Sequence, residues 1–134
     1  MGSQETKIQN KCRIALSPHG TFFRANNGLA WTGNKIAKLK DGSILILDPR
    51  PFRTGLPDGF PDLFGYKPTK ITPEMIGQTI AVFAGIEIKS EKGRATEEQK
   101  NFIRVVKQNG GIAGVARSPD EAVAIIREGN SGKN

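Results

Sequence analysis

The chain has 134 residues, the size of one ordinary domain, and its hydrophobic content of 37% allows a modest core. Its single cysteine, Cys12, excludes a disulfide within the chain, and no apolar run approaches the roughly 20 residues of a membrane span. Lys and Arg outnumber Asp and Glu by 20 to 13, and the net charge of +7 favours a polyanionic partner, nucleic acid first.

The first predicted element is a helix over Ser3–Leu16, where apolar residues recur at helical spacing. A short strand is expected over Thr21–Ala25, followed by a turn at Asn26-Asn27-Gly28. Glu5 lies on the apolar side of the helix together with Cys12, which we expect in the core. A carboxylate there either serves a site or simply favours the helix N-terminus.

Asp41-Gly42 predicts a β-hairpin, because alternating segments flank it over Lys35–Lys40 and Ser43–Asp48. We expect a two-residue connection between the two arms. The first arm is basic, since half of its residues are lysines: Lys35, Lys38 and Lys40. A loop rich in proline and glycine follows over Pro49–Pro61.

Two further strands are expected over Asp62–Lys67 and Ile80–Lys89. The second is apolar at all even positions and at the odd positions until Glu87, so it predicts a strand buried on both faces. Successive side chains of a strand alternate, and Glu87 and Lys89 therefore point the same way. Charges at the end of a core strand require water, each other, or a ligand.

The last third of the chain predicts a β-α-β crossover. A helix over Thr96–Gln108 begins with a capping box of Thr96 and Gln99, and a buried strand follows over Ile112–Ala116. The strands before and after this helix should be parallel neighbours. A final helix begins after Ser118.

The element order indicates an α/β fold with a mixed β-sheet flanked by helices. We expect a single domain over residues 1–128 and a disordered tail over residues 129–134.

Asp62 begins one strand, and Glu87-Ile88-Lys89 ends another. Two carboxylates from adjacent strands can share a hard cation such as Mg²⁺, with the carbonyl of Ile88 as a further ligand. Such a metal activates water and polarises a phosphodiester, and Lys89 would hold the water or stabilise the developing charge. The simpler interpretations are a salt-bridged strand end for Glu87 with Lys89 and a turn residue for Asp62.

Three runs occur together in this order: Gly59-Phe60-Pro61-Asp62-Leu63-Phe64-Gly65, Ile86-Glu87-Ile88-Lys89, and Gln99. They resemble the VRR-NUC family (virus-type replication-repair nucleases) of the PD-(D/E)XK superfamily, especially its small stand-alone phage members. The segment Phe23–Gly28 and the run Gly110–Val115 are also similar to that family. The hairpin over residues 31–48 has no counterpart in the resemblance, and we interpret it as an insertion.

The resemblance implies a restriction-endonuclease-like core and a metal-dependent DNA endonuclease that uses Mg²⁺ or Mn²⁺. Asp62 and Glu87 would be metal ligands, Lys89 the catalytic lysine, and Glu5 and Gln99 supporting residues of the active site. It also implies a homodimer, branched or Holliday-junction-like DNA as substrate, and a phage or prophage protein in the cytoplasm of a bacterial host, without a membrane. Gln99 can serve the capping box and the site together.

Five basic residues are the best candidates for contacts with phosphates: Lys92, Arg94, Arg24, Arg50 and Arg53. The first two lie in the loop after the strand that carries Glu87. Two other functions stay open. One is a nucleic-acid-binding module of the same fold without catalysis, and the other is a partner of an acidic protein.

Overall fold

The computed structural model describes residues 4–26 and 28–129. Ser3 of the predicted first helix, Asn27 of the predicted turn and residues 130–134 of the predicted tail lie outside the described part, while Gly129, the first residue of that predicted tail, belongs to the last helix. The α/β class is confirmed. In chain order the elements are α1 (Gln4–Leu16), β1 (Thr21–Arg24), β2 (Leu29–Thr32), β3 (Lys35–Lys38), β4 (Ile44–Leu47), β5 (Arg50–Arg53), β6 (Leu63–Tyr66), β7 (Ala84–Ile88), α2 (Glu97–Gln108), β8 (Ile112–Ala116) and α3 (Pro119–Gly129).

The chain forms two compact units, over residues 1–65 and 66–134. Both antiparallel and parallel strand pairs occur, each in a two-stranded sheet. A 3-10 turn over Pro73–Met75 precedes β7. None of the helices in the described ranges has the length and apolar composition to cross a bilayer.

In the first unit, β1 pairs with β6. Gly65 permits this close pairing, because a Cβ at this position would clash with the carbonyl oxygen of Thr21. The amide of Ala25 donates to the carbonyl oxygen of Asp62 at 2.9 Å, which continues the contact beyond β1. The rings of Phe23 and Phe64 pack with their centroids 5.5 Å apart.

The expected burial of α1 is wrong. Cys12 is exposed, and Ile8 is 54% exposed. The helix packs in its unit against β1, and a strand of four residues is too short to cover a helix of 13 residues.

Strands β2 to β5 form one antiparallel ribbon, which we call the β-ribbon (residues 29–53). β2 pairs with β5 from Leu29↔Arg53 to Thr32↔Arg50, and β3 pairs with β4 from Lys35↔Leu47 to Lys38↔Ile44. The second ladder begins three residues nearer the tip on each strand, at Lys35↔Leu47 after Thr32↔Arg50, so both ladders have the same register. The predicted hairpin is confirmed, and it extends into residues expected to be loop.

The tip of the β-ribbon has a three-residue connection, Lys40-Asp41-Gly42, instead of the expected two-residue one. The amide of Gly42 donates to the carbonyl of Leu39 at 3.0 Å, and the amide of Leu39 donates to the carbonyl of Ser43 at 2.8 Å. Gly42 has φ +88°, a conformation in which glycine is favoured. The register of the two arms therefore differs by one residue from the register predicted with a two-residue connection, and different side chains face each other across the strands.

In the second unit, β7 and β8 are parallel, from Ala84↔Ile112 to Ile88↔Ala116, and α2 connects them. The predicted crossover is confirmed. α3 packs on β8, since a Cβ at Gly114 would lie 2.9 Å from Ile125. α2 covers the other face, where a Cβ at Gly85 would lie 3.7 Å from Phe102.

The predicted strand Ile80–Lys89 is shorter in the structure, and its burial on both faces is wrong. Ile88 is 67% exposed and Ile80 is 50% exposed. Because α3 lies over β8, the face of β7 that carries Ile88 is not covered within this unit. The core of the unit lies around β8 and includes Val106, Ile112, Ala113 and Ala116.

Candidate active site

Three polar side chains meet at the end of β7. The Nε2 of Gln99 donates to Oε1 of Glu87 at 2.8 Å, and Nζ of Lys89 lies 3.2 Å from the same oxygen. The expectation that Glu87 and Lys89 point the same way is confirmed. The strand delivers Glu87 and Lys89 to one face, and α2 covers that face and delivers Gln99.

The orientation of the Gln99 amide follows from the predicted capping box, which is confirmed. Oε1 of Gln99 accepts from the amide of Thr96 at 2.9 Å, and Oγ1 of Thr96 accepts from the amide of Gln99 at 3.2 Å. Because the side-chain oxygen of Gln99 already accepts the hydrogen bond from Thr96, its NH₂ group is the end of the amide that faces Glu87. The cap of α2 thus orients a donor toward the carboxylate.

The cluster is accessible but not fully solvated. The side chain of Lys89 is 20% exposed and that of Glu87 is 32% exposed. A small cleft beside it is lined by six residues of β7 and α2: Gly85, Ile86, Glu87, Gln99, Phe102 and Ile103. In the described part of the chain no group donates a hydrogen bond to Oε2 of Glu87, so this oxygen remains able to bind a ligand.

The carbonyl of Ile88 also has an open environment. The amide of Ile112 donates to the carbonyl of Phe83, and the amide of Lys89 donates to the carbonyl of Ala116. Backbone groups of a parallel strand alternate in direction, so those of Ile88 point away from β8. That edge of β7 pairs with no described strand.

Asp62 and Glu5 belong to the first unit. Both are exposed, and the main-chain oxygen of Asp62 accepts a hydrogen bond from the amide of Ala25. Over residues 4–26 and 28–129, no three His, Cys, Asp or Glu side chains gather as a metal site. The carboxylates of Asp62 and Glu87 and the carbonyl of Ile88 each offer oxygen, which is the ligand type that Mg²⁺ and Mn²⁺ prefer.

The loop between β7 and α2 carries Lys92 and Arg94, and both are exposed. Arg117, at the end of β8, donates from its guanidinium to the carbonyl oxygen of Gly93 at 2.8 Å. Its backbone amide donates to Glu121 Oε2 at 2.6 Å, which ties it to the first turn of α3. Sequence reasoning did not single out Arg117, although its place directly after a strand parallel to β7 was a usable signal.

The remaining candidate cations lie in the first unit. Arg24 ends β1 and is exposed. Arg50 and Arg53 lie on β5, in the β-ribbon, and both are exposed. The guanidinium of Arg50 reaches Oδ1 of Asn34 at 3.5 Å.

Comparison with known protein families gives a match. The family model described as the VRR-NUC domain matches residues 3–120, which is most of the chain. No curated protein and no solved structure matches the chain. The matched range includes α1, Asp62, the Glu87–Lys89 strand end and Gln99. The chain therefore belongs to the VRR-NUC family, a nuclease family whose membership is consistent with the PD-(D/E)XK superfamily.

Proposed function

We propose that this protein is a metal-dependent DNA endonuclease that hydrolyses phosphodiester bonds at the Gln99–Glu87–Lys89 cluster. The observation that carries the proposal is the shared oxygen of Glu87, which receives both the amide of Gln99 and the ammonium of Lys89. The arrangement holds one carboxylate oxygen in place and leaves the other oxygen without a donor from the described chain. A salt bridge with a purely structural role does not require the third partner.

Each residue of the cluster has a distinct role in this proposal. Glu87, the carbonyl of Ile88 and Asp62 would hold Mg²⁺ or Mn²⁺, which supplies Lewis acidity toward the phosphodiester and water. Lys89 orients the attacking water and places positive charge where negative charge develops on the phosphate. Gln99 positions the carboxylate of Glu87 through its hydrogen bond, so it is a positioning residue.

The proposal requires residues 1–128 to act as one nuclease domain in which Asp62 joins Glu87. Among the residues that the structure describes, none forms a salt bridge with the carboxylate of Asp62, so its oxygens are available to a ligand. Glu5 would support the same site from α1. Family membership supports the assignment, because the matched range contains all of these residues.

DNA as the substrate is supported by family membership and by the net charge of +7. Lys92 and Arg94 are the nearest candidates in sequence for contacts with phosphates beside the cluster. We further propose branched duplex DNA as the preferred substrate, a homodimer with two sites related by a two-fold axis, and action in the cytoplasm of a bacterial host of a phage or prophage.

The test is to incubate the protein with a plasmid and with a four-way junction, each with Mg²⁺, Mn²⁺ or EDTA. Cleavage should require a divalent cation and should disappear in Glu87→Gln. The matched control is Glu91→Gln, which removes an exposed carboxylate from the following loop and should cleave normally. Binding to DNA without cleavage under any of these metals would contradict the proposal and indicate a binding module.

A further inference from the structure

The β-ribbon (residues 29–53) is a two-stranded element of one continuous register. Its strands run through about ten residues on each side before the tip, which corresponds to about 30 Å of length. The two ladders are separated by Gly33-Asn34 on one strand and Asp48-Pro49 on the other, and the register is the same on both sides of this gap. Within the gap, Nδ2 of Asn34 donates to Oδ2 of Asp48 at 3.1 Å. A side chain at Gly33 would clash with Ile46 and the Leu47 carbonyl, so glycine permits the strands to approach there.

The β-ribbon is strongly basic, and its cations form no salt bridge with any acidic residue in the described ranges. It carries five cations and two aspartates, a net charge of +3. In the described part of the chain none of the five forms a salt bridge. Their cross-strand neighbours, where the register defines them, are Leu29, Thr32, Ile44 and Leu47, none of which is acidic.

The two aspartates do not neutralise these cations, because each binds a neighbour of its own. Asp41 accepts from the amide of Ser43 at 2.9 Å and from its hydroxyl. These bonds lower the pKa of Asp41, with the hydroxyl bond as the larger cause. Asp48 accepts from Asn34.

The β-ribbon also exposes a large apolar area. Eight large apolar side chains on it are exposed: Leu29, Trp31, Ile36, Leu39, Ile44, Leu45, Leu47 and Phe52. A two-stranded ribbon that is open on both faces is marginally stable in water, so a bound partner would stabilise it. A second copy of this chain would bring another surface of charge +3 against the first. A polyanion complements that charge.

We infer that the β-ribbon is a duplex-DNA-binding arm that lies in the major groove. The major groove is about 12 Å wide and admits a two-stranded β-ribbon. The cations would contact phosphates along the groove walls, and the apolar side chains would contact thymine methyl groups and base edges. The inference rests on the proposed function in that DNA is the substrate, but it concerns an element that contains none of the proposed catalytic or metal-binding residues.

The experiment compares two charge-matched triple variants. The first, Lys35→Gln with Lys38→Gln and Lys40→Gln, neutralises three cations of the β-ribbon. The control neutralises three cations of α2: Lys100→Gln, Arg104→Gln and Lys107→Gln. Both variants lose three charges, so they separate an effect of the β-ribbon from a general effect of net charge.

Affinity is measured in EDTA by fluorescence anisotropy over a series of salt concentrations, on a linear duplex of about three helical turns. The β-ribbon variant should bind about tenfold to a hundredfold more weakly at 100 mM salt, and its salt slope should fall by about one unit per lysine. The control should lose at most a few-fold. Equal losses in the two variants would overturn the inference.

A second measurement uses the unmodified protein and so does not depend on the folding of a variant. Methylation of guanine N7 places a methyl group in the major groove, and it should lower the affinity for the duplex at least several-fold. Unchanged affinity would exclude binding in the major groove.

A sedimentation measurement tests the other possible occupant. If the β-ribbon variant dissociates a dimer and its DNA salt slope is unchanged, the occupant of the β-ribbon is a second copy of the chain and the inference is wrong.

The two proposals fail separately. Loss of cleavage in Glu87→Gln tests the nuclease, and the binding measurements in EDTA test the β-ribbon. A protein that binds DNA through the β-ribbon without ever cleaving it would overturn only the proposed function. A protein that cleaves DNA normally with a neutralised β-ribbon and unchanged binding would overturn only the inference.

Discussion

Gln99 joins Thr96 and Glu87 through the two ends of one amide: its oxygen accepts from the amide of Thr96 at 2.9 Å, and its nitrogen donates to Glu87 at 2.8 Å. The start of α2 and the end of β7 are therefore connected at one side chain. A change in the cap should alter the position of the Glu87 carboxylate. Variants of Gln99 can distinguish its function in the helix cap from its function in positioning Glu87.

Gln99→Glu should keep the helix cap and impair cleavage. Glu serves at the third position of a capping box as well as Gln does, but it donates no hydrogen bond to Glu87 and brings a like charge beside it. We expect cleavage to fall at least tenfold while the melting temperature changes little. Gln99→Ala should lose both the cap and the donor and melt lower. Equal cleavage by Gln99→Glu and the unmodified protein would show that Gln99 acts only in the cap.

Lys89→Ala should abolish most cleavage and leave binding to DNA nearly intact. Groups that transfer protons or stabilise transition-state charge contribute about 10²–10⁴-fold, whereas one phosphate contact contributes far less to the rate. Single-turnover cleavage and anisotropy in EDTA measure the two effects. Lys92→Ala, in the exposed loop, is the matched control and should show the reverse pattern. Full cleavage by Lys89→Ala would show that the assigned mechanism is wrong.

Asp62→Asn and Glu87→Gln should each weaken the binding of Mn²⁺. Each replacement removes a negatively charged oxygen ligand, and hard cations depend on such ligands. Electron paramagnetic resonance of free Mn²⁺ measures the binding without any requirement for cleavage. Asp58→Asn is the control, since Asp58 is an exposed aspartate four residues before Asp62. A loss in Asp58→Asn with none in Asp62→Asn would move the ligand to Asp58.

Arg117→Ala should raise the KM for DNA more than it lowers kcat. The guanidinium of Arg117 binds the carbonyl of Gly93 between Lys92 and Arg94, so its loss frees the loop that carries these two cations. Steady-state cleavage over a range of DNA concentrations separates the two constants. Rescue is expected to be partial in Arg117→Lys, because a lysine can still donate to one carbonyl. A fall in kcat alone would mean that the loop does not contact DNA.

Gly65→Ala should destabilise the protein by about 1–3 kcal/mol, because the added methyl group overlaps the carbonyl of Thr21 on the paired strand. Gly28→Ala is the control, since no atom lies within 4 Å of a Cβ placed there. Urea unfolding measures both free energies. Similar stability in the two variants would mean that β1 and β6 do not pair as closely as described.

The sequence by itself determined the features that depend on neighbours along the chain. The capping box of Thr96 and Gln99 needs only three residues of spacing, and the shared direction of Glu87 and Lys89 follows from strand alternation. The hairpin signal at Asp41-Gly42 was also local. The motifs were sufficient to predict the family and the α/β class, because those patterns combine residue type with order.

Only the tertiary structure decided the features that depend on distant segments. The contact of Gln99 with Glu87 requires α2 to pack on a particular face of β7, and the tie from Arg117 to Gly93 joins residues 24 apart. The extension of the ribbon to Leu29 and Arg53 and its one-residue change of register arise from pairing between strands. Local periodicity carries no information on which segments pack together, so burial along α1 and β7 could not be predicted from apolar spacing.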